Sequence, residues 1–442
     1  MPYPAGNRLP GERASKLGHL EVLKSELVNR LCKSFEDPES TSELPNVAWE
    51  TIPLTGTPLK IVFGVDGSMQ PIRSETQPYK ELAFVKTAIL KVDSAALAKV
   101  DRENPHPFAL RDIMADSASH HATVFPLKNV RVSGISTYHA IRQIIFDSIN
   151  DPSLEGEPLK TLKWLAYEQW DTERKPLKEF GCPHCETTNA TLPYDAEEGS
   201  CPNCGNHLLL TDMLGFHLDM AEDSAPSSLA MSYMNIHETL LLFTAIRYFW
   251  QERQSSLAKC LFVKDGPLYL RAQYSKLVNP IRKFLVHAKN SGYPVHLIGQ
   301  EKTGKFYEHL QMLGRDSPVG CLFVPDGRYI SREINHSPDS KTPYGKDTNY
   351  GVKVFVKLND HHQMVLNIPT TRNITNPYLN SPKLEDLIGF ENIFATLPEL
   401  LSYRHEGGLL PVELANGVAS LSTYPSARIL EMFAEENFRT ST

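Results

Sequence analysis

The 442-residue sequence is informative first through what it lacks. No run approaches about 18 consecutive apolar residues, so no membrane-spanning helix is expected. The opening Met1-Pro2-Tyr3-Pro4 has no charged-then-apolar pattern of a secretory leader. There is no excess of basic residues: a net charge of −7 excludes a surface that is basic throughout, but not a basic groove around an acidic site. Internal repeats and low-complexity tracts are absent. Cysteines number seven, an odd count with four in one tight cluster, which argues against a disulfide framework. The other three, Cys32, Cys260 and Cys321, sit singly in apolar contexts and read as reduced thiols. A soluble protein of the reducing cytoplasm is the expectation.

A hydrophobic content of 41% with 22% charged residues suits an ordinary globular chain, long enough for two to three domains or one large domain with insertions. Leu17, Leu20, Leu23, Leu27, Leu31 and Phe35 recur at three- and four-residue spacing, which predicts an amphipathic helix over 12–35 with an unpartnered stripe. Asp37–Ser42 reads as a linker. Strands are expected at Lys60–Val65, Leu82–Val92, Cys260–Val263, Val295–Ile298 and Val319–Val324, and a hairpin at Val352–Leu358 with Gln363–Ile368. Long helices are expected from Ser227 or Ser228 to about Gln254 and near Lys276–Asn290. This alternation implies an α/β fold with a mixed sheet. The expected division is an N-terminal helix over 1–45, a first part of the core over 46–177, a cysteine module over 178–212, and the rest of the core over 213–442.

Two pairs, Cys182-Pro-His-Cys185 and Cys201-Pro-Asn-Cys204, stand fifteen residues apart. Two matched C-x2-C knuckles place four thiolates for tetrahedral Zn²⁺, and four sulfur ligands leave no position open for catalysis. The zinc is therefore expected to be structural, with His184 and His207 as bystanders.

Two apolar runs end in Asp-Gly: Ile61–Val65 leads into Asp66-Gly67, and Cys260–Val263 leads through Lys264 into Asp265-Gly266. Taken singly, each Asp-Gly reads as a turn. As a matched pair on neighbouring strands they would set two carboxylates at one sheet edge, which suits a metal-assisted phosphoryl-transfer site. Glu238 lies in the apolar helix Met234–Trp250, on the same face as Leu241, Leu242, Ala245 and Phe249, so its carboxylate needs a cation or a donor. A metal would serve, and so would Arg247 or Lys264; Glu252 is a weaker alternative. Lys302 sits in the loop Gly299-Gln-Glu-Lys-Thr-Gly-Lys305, which could hold a phosphate but lacks the full P-loop pattern. Asp326 and Asp347 are further acidic candidates that read as turns.

In this order, Val65-Asp66-Gly67-Ser68, Lys264-Asp265-Gly266-Pro267-Leu268, the Lys302 loop, and a late Tyr424-Pro425 before a helix resemble the NurA nucleases, over roughly residues 55–100 and 225–435. The resemblance implies an RNase H-like mixed sheet flanked by helices, with the zinc ribbon as an insertion expected to protrude. It implies a phosphodiester hydrolase that processes DNA ends with Mn²⁺ or Mg²⁺. Asp66, Glu238 and Asp265 would hold the ion, and Lys302 would lie near the scissile phosphate. It further implies a homodimer working with a HerA-like hexameric ATPase, in DNA repair or defence against phage. One departure is that the late helix offers Arg428, Glu431 and Phe433 where the family often has a histidine, so that Glu431 either takes that place or the site is incomplete. The competing expectation is a zinc-ribbon nucleic-acid-binding or assembly subunit that keeps the fold without cleavage.

Overall fold

In the computed structural model, long β-branched and aromatic runs form one nine-stranded mixed sheet. Residues 18–35, 45, 47–74, 77–97, 118–132, 134–314, 317–337, 343–379, 381–403, 407–422 and 425–440 are described. Two units separate, Met1–Asn46 and Val47–Thr442.

The first unit carries two short helices, α1 (Gly18–Lys24) and α2 (Glu26–Ser34), where periodicity predicts one. The break falls at Ser25, whose hydroxyl caps α2 by accepting from Val28 N–H. Leu20, Leu23, Leu27, Leu31 and Phe35 are exposed. Residues 12–17 and the expected linker at Asp37–Ser42 lie outside the described residues.

The second unit begins with β1 (Glu50–Thr51), β2 (Ile61–Arg73), β3 (Glu81–Asp93) and β4 (Ala118–Lys128). A small ladder, β5 (Glu198–Ser200) and β6 (His207–Leu209), belongs to the cysteine module. Then come β7 (Cys260–Asp265), β8 (His296–Glu301), β9 (Cys321–Phe323), β10 (Val352–Lys357) and β11 (Gln363–Ile368). The order across the sheet is β1-β9-β10-β11-β8-β7-β2-β3-β4. The pairs β2–β7 and β7–β8 are parallel and the others antiparallel. Helices α3 (Thr137–Ile149), α4 (Glu157–Ala166), α5 (Ser227–Glu252), α6 (Val278–Asn290), α7 (Lys305–Gly314), α8 (Phe390–Leu400), α9 (Leu410–Ala419) and α10 (Ser426–Thr440) accompany the sheet. The architecture is α/β. No helix among the described residues is long and apolar enough to cross a membrane.

The central strands are buried on both faces, which explains why they read as continuous apolar runs. Phe63, Val65 and Phe262 join the core that contains Tyr233 and Leu241 of α5. Val62, Leu261 and Val263 join a second core with Val412 and Ala415 of α9. Alternation along β2 and β7 thus turns every second side chain to α5 and the others to α9.

In this unit two expectations change, and one strand forms where none was expected. First, β2 does not stop at Asp66. It continues to Arg73 because residues 66–73 remain paired with 81–88 of β3, and Asp66-Gly67 is mid-strand, with no turn there. Pro71 is tolerated because β7 ends at Asp265 and the N–H side of β2 has no further strand to serve. Second, β4 was not legible: Ser119-His120-His121-Ala122 gives no clean apolar alternation, and pairing with β3 imposes the strand. Third, the cysteine module does not protrude. Phe180, Ala190, Leu192 and Leu208 are buried in the same core as Trp164 and Tyr167. Tyr167 Oη donates to the carbonyls of Pro193 and Ala196 at 2.9 and 2.8 Å. Arg142 on α3 grips Asp212 through two bonds of 2.9 and 2.8 Å, both residues buried.

Candidate functional site

Asp66 sits where β2 outruns β7, one residue beyond the Val65–Lys264 pairing. Its Oδ1 accepts the Gly67 N–H at 2.7 Å, and its Oδ2 is buried without a hydrogen-bond partner. Only 4% of the residue is exposed. Burial first, then the charges of Asp265 and Glu238, push its carboxyl up to about 7, against a smaller pull from the Asn416 amide and the Gly67 N–H. A group held in this state gains strongly from a nearby cation.

Asp265 ends β7 and meets Lys302 across the strand ends, with Lys302 Nζ 3.1 Å from Asp265 Oδ1. Gly299 lets the two segments come together: a Cβ there would lie 2.6 Å from the Gly266 carbonyl oxygen. Gly299-Gln300-Glu301 is strand, since it pairs with β11, and the loop begins only at Lys302.

Glu238 is buried on α5, where it pairs with Lys264 at 2.6 Å. Of the two basic residues considered for this carboxylate, Lys264 meets it, while Arg247 pairs with Glu157. Burial works against the Lys264 ammonium, but Glu238, Tyr350 and Asp265 together hold it above its usual range.

The sheet divides these groups. Asp66 and Asp265 continue the series Val62–Gly64 and Leu261–Val263, which faces α9, and Asn416 of α9 acts on Asp66. Lys264 continues Cys260–Phe262 on the α5 side, where Glu238 also lies. A cleft of about 250 Å³ wraps around the strand ends and is lined by Asp66, Glu238, Lys264 and Asp265, together with Tyr269 and Arg271. Lys302 reaches this group through Asp265.

Asp66 and Asp265 are hard oxygen donors, and the buried Asp66 Oδ2, which has no hydrogen-bond partner, fits a divalent cation. Among the described residues, the only cluster of three or more His, Cys, Asp or Glu whose ligand atoms all lie within 4.8 Å of one another is that of the four cysteines. The three carboxylates are more widely spread, because Glu238 is on the other face. Asn416 was missed in the sequence; its signal is a lone amide in the apolar run Leu409–Ala419.

The remaining acidic candidates lie elsewhere. Glu252 is exposed at the end of α5. Asp326 caps the turn Gly327–Tyr329, its Oδ1 accepting the Tyr329 N–H at 2.7 Å. Asp347 lends charge to Arg282. Glu431 pairs with Arg428 at 3.0 Å along α10, and neither lines the cleft. Tyr424 is outside the described residues.

Cys182, Cys185, Cys201 and Cys204 form a compact set of sulfurs, with Cys182–Cys204 at 3.9 Å and Cys185–Cys201 at 3.8 Å. The His184 N–H and the Asn203 amide donate to Cys182 and Cys185, each at 3.4 Å. Four soft donors with N–H support fit a metal such as zinc. His184 and His207 turn to other partners, the His207 carbonyl and Glu198.

No family model matches the sequence, and no curated protein matches it. A solved structure titled "Crystal structure of NurA" is similar at 12% identity, over 96% of this chain and 98% of that one, with a TM-score of 0.27. A superposition that loose does not establish a shared fold.

Proposed function

We propose that the chain is a divalent-cation-dependent nuclease acting on DNA. The observation that carries this reading is Asp66: a buried carboxylate with one oxygen that has no hydrogen-bond partner, repelled by Asp265 and Glu238, where β2 runs on past the end of the parallel strand β7. The ordered motifs around Asp66, Asp265 and Lys302 support it, as does their resemblance to NurA nucleases. Asp66 and Asp265 hold Mn²⁺ or Mg²⁺, with Asn416 beside Asp66. When bound, such an ion lowers the pKa of water and neutralises charge on phosphate oxygens. Lys302, a quarter exposed and already drawn to Asp265, offers a cation to the phosphate backbone.

The same reading extends to an RNase H-like core built from 46–177 and 213–442, a structural Zn²⁺ in 178–212, a homodimer, and a HerA-like hexameric ATPase as partner. One observation favours the second reading, a binding or assembly subunit without cleavage: Lys264 sits on Glu238 and Lys302 on Asp265, so two of the three carboxylates have counter-ions already.

Incubating linear single- and double-stranded DNA with the protein and Mn²⁺, beside Asp66→Asn, separates the two. Cleavage by the parent protein that the substitution abolishes supports the nuclease. DNA retained without cleavage, with the hexameric ATPase present, supports the binding subunit. Cleavage that survives Asp66→Asn removes Asp66 from the site.

A further inference from the structure

The Glu238–Lys264 pair touches the backbone beside both aspartates while lying across the sheet from them. Lys264 Nζ is 2.6 Å from Glu238 Oε2, and the two side chains are only 3% and 4% exposed. Each is therefore the other's counter-ion, withdrawn from water. A second Nζ bond of 3.0 Å runs to the Asp265 carbonyl oxygen. Lys264 is also the cross-strand partner of Val65, the residue before Asp66. The other Glu238 oxygen presses on β2, 2.6 Å from where a Cβ on Gly67 would stand. The pair thus ties α5 to the end of β7 at Asp265 and packs against β2 at Gly67.

We infer that Glu238 and Lys264 are positioning residues that brace β2 at Gly67 and the end of β7 and so aim Asp66 and Asp265, and that Glu238 is not a ligand of the cation. This rests on the reading of the cleft as a divalent-cation site. A carboxylate with an ammonium at 2.6 Å presents almost no net charge to a third ion. Recruiting Glu238 as a ligand would strand the buried Lys264 ammonium beside the incoming cation, which costs more than the new bond returns.

Mn²⁺ binding to the full chain without DNA, followed by the electron paramagnetic resonance of free Mn²⁺, tests this. Asp66→Asn should weaken binding by about a hundredfold, as loss of a charged ligand does. Glu238→Gln leaves Lys264 charged and unmatched and should weaken binding about tenfold. The double variant Glu238→Gln/Lys264→Met keeps the net charge of the cleft but loses the pair, so it should stay about tenfold below the parent, short of the loss in Asp66→Asn. A pair important only for stability would not move the Mn²⁺ affinity at all, and that result overturns the positioning role. If the double variant melts like the parent yet binds as poorly as Asp66→Asn, Glu238 is a ligand and the inference falls.

Anomalous scattering from Mn²⁺-soaked crystals of the unaltered protein answers the question without relying on a variant's folding. An ion bonded to Asp66 and Asp265 and not to Glu238 is expected; an ion bonded to Glu238 overturns the inference. No ion in the cleft, or equal Mn²⁺ binding by the parent and Asp66→Asn, overturns the cation-site reading itself.

Discussion

Gly67 and Glu238 are in contact across the β2–α5 interface: a Cβ added to Gly67 would stand 2.6 Å from Glu238 Oε1 and 2.6 Å from Met234 Cγ. The glycine after Asp66 is there for this approach, since the strand runs straight through it. Gly67→Ala should therefore destabilise the protein by about 1–3 kcal/mol, because Glu238 is held by its bond to the buried Lys264 and cannot swing clear. Denaturant unfolding checks this, with Gly417→Ala as the control. Nothing lies within 4 Å of a Cβ at Gly417, on α9, so that change should be neutral or stabilising by up to about 1 kcal/mol. Equal stability of Gly67→Ala and the parent would mean that the contact is soft.

The state of Asp66 gives stability a definite slope with pH. In the metal-free protein its carboxyl, raised to about 7 by burial and by Asp265 and Glu238, holds a proton that the unfolded chain releases near 3.8. Between those values the folded state binds more protons, so stability falls as pH rises through the window and stays low above it. Asp66→Asn should flatten this slope and, above pH about 7, be the more stable protein by a margin on the order of 1–4 kcal/mol. Thermal melts in a chelator across pH 4–8 measure it. An unchanged slope in the variant would show that Asp66 ionises freely. Mn²⁺ should flatten the slope of the parent protein, because a cation holds the carboxylate charged at lower pH.

Much of the core was legible in the sequence, and the reasons lie in particular residues. Cys260–Val263 and Val352–Lys357 are buried on both faces, so they appear as unbroken apolar runs that fit only a central strand. The cysteine spacing announced four converging sulfurs, because a knuckle is a local structure. What failed was non-local. Nothing near Asp66 says that 66–73 will pair with 81–88, so Asp-Gly read as a strand end. Glu238 was legible as buried, but which of Arg247 or Lys264 would meet it depends on β7 lying under α5. Asn416 comes from the far end of the chain and becomes part of the site only when α9 crosses β2. Likewise the cysteine module, separate in composition, is joined to the body by Tyr167 and Arg142, residues outside it.

His237 should make the protein acid-sensitive in the opposite sense to Asp66. It is fully buried, its Nδ1 2.7 Å from Thr87 Oγ1, and burial together with the neighbouring His121 drives its pKa down to about 3. Below about 6.5 the unfolded chain takes up a proton there that the folded state refuses, so stability is lost as pH falls from about 6.5 towards 3. His296, lowered by burial to about 4, adds to the same loss. His237→Gln, which keeps an amide near Thr87, should reduce the acid slope without abolishing it. Melting temperatures of parent and variant at pH 4, 5 and 7 give the comparison, and parallel pH curves would place the acid sensitivity elsewhere.

Removing the metal from the cysteine set should loosen the body of the protein as well as the module. Phe180, Leu192 and Leu208, which flank the four sulfurs, are packed in one core with Trp164 and Tyr167 of the α4 segment and Phe284 of α6. Lys163 of α4 pairs with Glu197 at 3.0 Å, and Arg142 of α3 with Asp212, which adds polar ties along the same boundary. Without an ion the four thiolates repel or take up protons, the knuckles lose the cross-link that the ion makes, and the apolar side chains between them lose their backing. Chelation, or Cys201→Ser, should then lower the melting temperature of the whole second unit in one cooperative step, with a loss of several kcal/mol. Hydrogen exchange resolves the alternative. Faster exchange in Glu157–Ala166 alongside residues 178–212 is expected, whereas protection of that helix unchanged after metal loss would show that the module opens by itself.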